Sequence, residues 1–143
     1  MYVDKKHAKS AWVSSSTVTE QMPWGFETRW SGFSGIHGKT LFIRKGGRTS
    51  LKYNNSKTEV LMLRSGSAEA FFGDELSLSD PLGHPMKKEK MVSGDTLLVQ
   101  SMCPYRITAL EDCEIFEIGD NSSDQVVRLE DDYGRIENDE ENA

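Results

Sequence analysis

From residue 23 to about residue 130 the chain is a train of short β-type runs, and no stretch among them sustains the 3.6-residue period of an amphipathic helix. "GFETRW" (25–30) and "KTLFIRK" (39–45) read as strands, and Gly46 and Gly47 end the second. "TSLKY", "TEVLMLRS", "SAEAFFG", "KMVSGDTLLVQ", "YRITAL", "CEIFEIG" and "QVVRLE" follow. Most alternate or are rich in β-branched and aromatic residues, with Gly, Asn or Asp in the gaps. Many short strands at this spacing specify an all-β sandwich or small barrel. A length of 143 residues suits one domain with one sizeable core.

The flanks differ in texture. Residues 1–20 are polar and rich in Ser and Thr, and read as a flexible N-terminal arm with "AWV" (11–13) as an anchor. The barrel domain is expected over 21–136, and 137–143 form an acidic tail. Net charge is −6, with much of the acid between Glu130 and Glu141, which argues against nucleic acid as a partner. No apolar run approaches the ~20 residues of a membrane span. The basic residues near the start have no apolar stretch behind them, so no signal peptide is expected and a cytoplasmic location is. Cys103 and Cys113 are then expected as free thiols. One connection, "LSLSDPLGHPMKKEKM" (76–91), is too long for a hairpin turn. Its segment from Pro81 to Lys90 reads as a mobile, solvated insertion carrying Lys87, Lys88 and Lys90.

The sharpest anomaly is Glu59. Strand faces repeat every second residue, so if Leu61 and Leu63 face the core, Glu59 does too. The same count on the preceding strand turns Leu51, Tyr53 and Asn55 inward. A carboxylate aimed into a barrel must be paired, hydrogen-bonded or metal-bound. Glu59 either sits wet at the barrel mouth, paired with Arg44, Lys52 or Arg106, or has a functional role.

At these residues the chain resembles the cupins, and more narrowly the cupin domain of type II mannose-6-phosphate isomerases, often fused to a mannose-1-phosphate guanylyltransferase. The likeness runs from "PWGFETRW" to "VVRLEDDYGR", with "GGRTSL", "LMLRSGSAEAFFGDE" and "SGDTLLVQSMCPYRI" between. It implies a double-stranded β-helix, or jelly-roll, barrel of two antiparallel sheets. The cupin pattern G-x-x-x-x-x-H-x-H-x-x-x-E-x-x-x-x-x-x-G keeps Gly47, Glu59 and Gly66 here, but its histidine places hold Tyr53 and Asn55. The second pattern starts at Gly94 and puts Tyr105 in its histidine place. The three histidines, His7, His37 and His84, fall outside both patterns.

Zinc, nickel and manganese favour imidazole supported by carboxylate, and the amide and phenol oxygens of Asn55 and Tyr105 are weak substitutes. The resemblance therefore implies a degenerate relative with no metal and no other cofactor. It would bind a sugar or sugar-phosphate-like ligand through Arg44, Lys52, Tyr53, Asn55, Tyr105, Arg106 and Arg135. Two alternatives remain: an active aldose–ketose isomerase with Glu59 as base, or a structural module. A homodimer is expected, through an exposed strand edge and the Trp-bearing start. The closing "EDDYGR" reads as a local ion-pair clamp, or, with Arg135 turned inward, as a phosphate contact. The nucleotidyltransferase half has no counterpart, so guanylyl transfer is not expected.

Overall fold

A computed structural model describes residues 9–120 and 126–134. Eleven strands make up its regular structure: β1 (Val18–Met22), β2 (Gly25–Phe33), β3 (Ile36–Ile43), β4 (Leu51–Asn54), β5 (Glu59–Ser65), β6 (Ser67–Phe72), β7 (Lys87–Val92), β8 (Thr96–Val99), β9 (Tyr105–Ala109), β10 (Cys113–Asp120) and β11 (Val126–Glu130). They form a six-stranded sheet in the order β1-β2-β3-β10-β5-β8 and a five-stranded sheet in the order β11-β4-β9-β6-β7. Neighbouring strands are antiparallel. The all-β expectation is met, and no helix among the described residues is long and apolar enough to cross a membrane.

The core lies between the two sheets. Leu41, Ile43, Leu61, Leu63 and Ile115 from the larger sheet meet Ala68, Ala70, Ile107 and Ala109 from the smaller one. Their alternation sets every other face. On β5, Glu59, Leu61 and Leu63 are buried while Val60 and Arg64 are exposed. On β10, Cys113, Ile115 and Glu117 are buried in the same rhythm. Gly66, between β5 and β6, has φ 87°, and a side chain there would collide with the Asp112 carbonyl.

Three elements differ from the sequence reading. Residues 18–20, expected in the arm, belong to β1, which pairs with β2 from Val18↔Arg29 to Met22↔Gly25. A hydroxyl pair, Thr19–Thr28 at 2.9 Å, and an Arg29–Glu20 ion pair at 3.0 Å link these two strands. "KMVSGDTLLVQ" is two strands rather than one, because Gly94 (φ 99°) turns the chain and the Asp95 carboxylate accepts from Val92 N. Lys87, Lys88 and Lys90 are not in a loop: they stand exposed on β7, an edge strand paired to β6. Charged side chains on an edge discourage further strand addition. The remainder of that connection is turns tied together by Asp74, which accepts from Leu76 N and pairs with the His84 ring at 2.8 Å. Cys103 and Cys113 are free thiols. Arg135 and the tail 137–143 lie outside the described residues.

Candidate functional site

The alternation that buries Leu61 and Leu63 carries Glu59 to the edge of the core, where side chains from both sheets converge on it. Its Oε1 accepts two hydrogen bonds, from the Tyr105 hydroxyl at 2.7 Å and from Asn54 Nδ2 at 3.0 Å. Its Oε2 lies 3.4 Å from Lys57 Nζ and 3.7 Å from His37 Nε2. The second carboxylate, Glu117 of β10, accepts from His37 Nε2 at 2.8 Å and lies 3.7 Å from Lys39 Nζ. The third, Glu27 of β2, is 2.6 Å from Lys39 Nζ. Lys52 lays its ammonium over the Tyr105 ring, 4.5 Å from the centroid, and its polar contact is the Ser50 carbonyl at 3.4 Å. Three carboxylates thus face three ammonium groups and one imidazole.

The carboxylates are the deepest members of this cluster, and the imidazole and two of the lysines lie nearer the surface. The side chains of Glu59 and Glu117 are each 5 % exposed, against 12 % for His37, 17 % for Lys57 and 22 % for Lys39. Burial alone would raise the Glu117 carboxyl, but Lys39, His37 and Lys52 together hold it down to about 2. Burial lowers Lys39, yet Glu117 and Glu27 outweigh it and the amine ends above its ordinary value. Lys52 goes the other way: burial, only partly opposed by Glu59 and Glu117, takes it down to about 8. Burial first, and then the neighbouring charges of Glu59 and Glu117, push the Tyr105 phenol well up, so it remains a hydrogen-bond donor.

Of the residues singled out from sequence, Glu59, Lys52 and Tyr105 meet here. Tyr53 and Asn55 do not. Four residues separate Asn54 from Glu59, one more than the spacing assumed, and a slip of one residue flips every side chain on a strand. The β4 side chains aimed at Glu59 and Tyr105 are therefore Asn54 and Lys52, while Asn55 sits exposed in the turn. Arg44 is exposed beyond the end of β3, seven residues past His37, roughly 23 Å along the strand. Arg106 follows Tyr105 on β9 and points to the other face, where Nε donates to the Thr49 carbonyl at 2.9 Å and Nη1 lies 3.6 Å from Glu130. Arg48 and Arg106 both reach Asp132, so the closing acidic segment is clamped by these two.

Sequence reasoning missed His37, Lys39 and Glu117. The signal was present: His37, Lys39, Leu41 and Ile43 share one parity on β3, as Cys113, Ile115 and Glu117 do on β10. Starting the β3 strand at residue 39 cut His37 off from its own face. Tyr105 is buried, Met102 is exposed and Tyr53 is half-buried.

His37, Glu59 and Glu117 bring one nitrogen and two oxygens within 4.8 Å of one another, a spacing a cation could span. Their bonding does not fit one. An ionised carboxylate only accepts, so the short contact to Glu117 requires a proton on His37 Nε2, which removes that lone pair. Lys39 and Lys57 already lie against the same carboxylates, and Tyr105 and Asn54 take the other Glu59 oxygen.

Neither a protein-family model nor a curated protein matches this chain. Solved structures do. A Bacillus subtilis oxalate decarboxylase variant aligns with a TM-score of 0.66 at 17 % identity, over 82 % of this chain and 31 % of that one. A deletion mutant of the same enzyme aligns with a TM-score of 0.69 at 17 % identity, over 86 % and 33 %. The formate complex of Lactobacillus farciminis oxalate decarboxylase gives 0.64 at 15 %, over 80 % and 34 %. This is a cupin fold. The chain spans about a third of the length of the decarboxylases it matches, and identity this low carries the cupin barrel without its chemistry. The Mn(II) centres named for the B. subtilis enzyme belong to that protein; in this chain, lysine ammonium groups and an imidazole lie around Glu59.

Proposed function

We propose that this protein is a metal-free cupin, related to the mannose-6-phosphate isomerases, that binds a sugar or sugar-phosphate-like ligand at the exposed side of the Glu59 cluster. The observation that carries the reading is the charge balance: three buried carboxylates against three ammonium groups, with His37, Lys39 and Lys57 partly exposed above them. A balanced site suits a neutral polyol, whose hydroxyls donate to carboxylates and accept from ammonium groups at once. A phosphate would be met by Lys57 and Lys39 on that side.

Binding is favoured over isomerisation by the state of Glu59. A general base needs a free lone pair facing the proton it takes. Here Oε1 is taken by Tyr105 and Asn54, and Oε2 faces Lys57 and His37. Titration calorimetry with methyl α-mannoside, mannose and mannose 6-phosphate tests the reading. Heat of binding that is lost in Lys57→Met supports it; no binding by any of the three overturns it. Glu59→Gln is expected to leave any turnover of mannose 6-phosphate unchanged, and a large loss of turnover would establish the isomerase instead. The same proposal pairs two copies through edge strand β1 and the exposed Trp12 and Trp30 beside it. Sedimentation at a single-chain mass would remove that part.

A further inference from the structure

Each lysine at the carboxylates has a partner except one. Lys39 pairs with Glu27 and Glu117, and Lys57 with Glu59, but Lys52 has no carboxylate within salt-bridge distance among the described residues. The residue is half-buried, with its amine held over the face of the Tyr105 ring and at the edge of hydrogen-bond reach from the Ser50 carbonyl. An ammonium so placed has lost water without gaining an ion pair, which eases the loss of its proton relative to a surface lysine. Tyr105 OH, bonded to Glu59 at 2.7 Å, sits at the far end of the same ring and supplies a proton-carrying pair beside the amine.

We propose that Lys52 is a nucleophilic amine that forms an imine with a small carbonyl compound, such as the open-chain aldehyde of a sugar, bound at the Glu59 cluster. The inference deepens the proposed ligand site and rests on it. The Lys52 nitrogen pair attacks the carbonyl carbon, and the C=O π pair moves to oxygen and takes a proton. The resulting carbinolamine then loses hydroxide, with a second proton, as water, and the nitrogen sheds its extra protons. The sum is amine plus aldehyde giving imine plus water, with no oxidant or reductant required. The Tyr105–Glu59 pair, on the ring that the amine lies over, can hand over and recover those protons. A lysine with its amine shifted to about 8 holds a much larger neutral fraction at pH 7 than a surface lysine.

The test is reductive trapping of the full chain at pH 7 with glycolaldehyde and cyanoborohydride, and separately with propanal, followed by peptide mapping. Lys52 is expected to be modified about tenfold or more faster than exposed Lys87 and Lys88, through its larger neutral fraction. The excess should disappear in Lys52→Arg, which keeps the cation and removes the nucleophile, and in Lys52→Met. Preference for glycolaldehyde over propanal would support a hydroxylated ligand, while equal labelling would support the amine alone. Labelling spread evenly over the lysines, or absent from Lys52, overturns the proposal. Methyl α-mannoside cannot open to an aldehyde, so its binding reports on the sugar site independently. Binding of that glycoside without trapping would sink the imine and leave the ligand reading intact.

Discussion

Tyr105 and Arg106 are adjacent on one strand, both are buried, and they serve two ionic sites built on different terms. On the Tyr105 side, Glu59 and Glu117 each have several partners: two donors, an ammonium and an imidazole around Glu59, an imidazole and an ammonium around Glu117, while among the described residues Glu27 meets Lys39 alone. On the Arg106 side, Nη2 is buried without a hydrogen bond, and the acidic partners Glu130 and Asp132 stand at 3.6 and 4.0 Å in contact with solvent. The first arrangement holds charge inside a barrel; the second fastens the β11 end of the chain to the outside of it. Buried charge of the first kind is sensitive to loss of any member, because what remains is unpaired in a low-dielectric setting.

The largest expected effect is therefore at Glu59. Glu59→Leu should lower unfolding free energy by about 3–5 kcal/mol, measured by urea denaturation, since Lys57, Asn54 and Tyr105 all lose their acceptor. A loss no greater than that of an exposed substitution would erase the distinction between the two sites.

Acid should find the same site next. Glu117 titrates near 4.5 unfolded and is held to about 2 folded, so its contribution is complete above pH 4.5 and drains away as pH falls toward 2. Wild type should lose stability steeply in that window, and Glu117→Gln should be less stable at pH 7 but flatter in acid. Parallel pH profiles for the two proteins would contradict the assignment.

At the clamp the effects shrink. Arg106→Met leaves the Thr49 carbonyl without its donor and should cost about 1–2 kcal/mol by urea denaturation. Arg48→Met breaks a pair with Asp132 at the surface and should move the denaturation midpoint least of the four. A larger loss at Arg48 than at Arg106 would place the weight of the clamp outside rather than beneath β11.

What the sequence disclosed follows the same division. Period-2 alternation around Leu61 and Leu63 was enough to turn Glu59 inward, and the runs of β-branched and aromatic residues were enough for the antiparallel barrel. The partners were harder. A strand's inward set depends on a count that one extra turn residue reverses, and the four residues between Asn54 and Glu59 exchanged Tyr53 and Asn55 for Lys52 and Asn54. Parity turns His37, Lys39 and Glu117 inward, but their meeting with one another and with Glu59 depends on the pairing of β10 with both β3 and β5, a long-range register that no local pattern encodes.

The central claim is that lysines and an imidazole occupy the ground a metal would need. Metal content per chain of the purified protein, followed by titration with zinc, nickel and manganese, tests it most directly. The account predicts no stoichiometric metal and no tight binding of any of the three. One tightly held ion per chain, released by Glu59→Leu or Glu117→Gln, would contradict it.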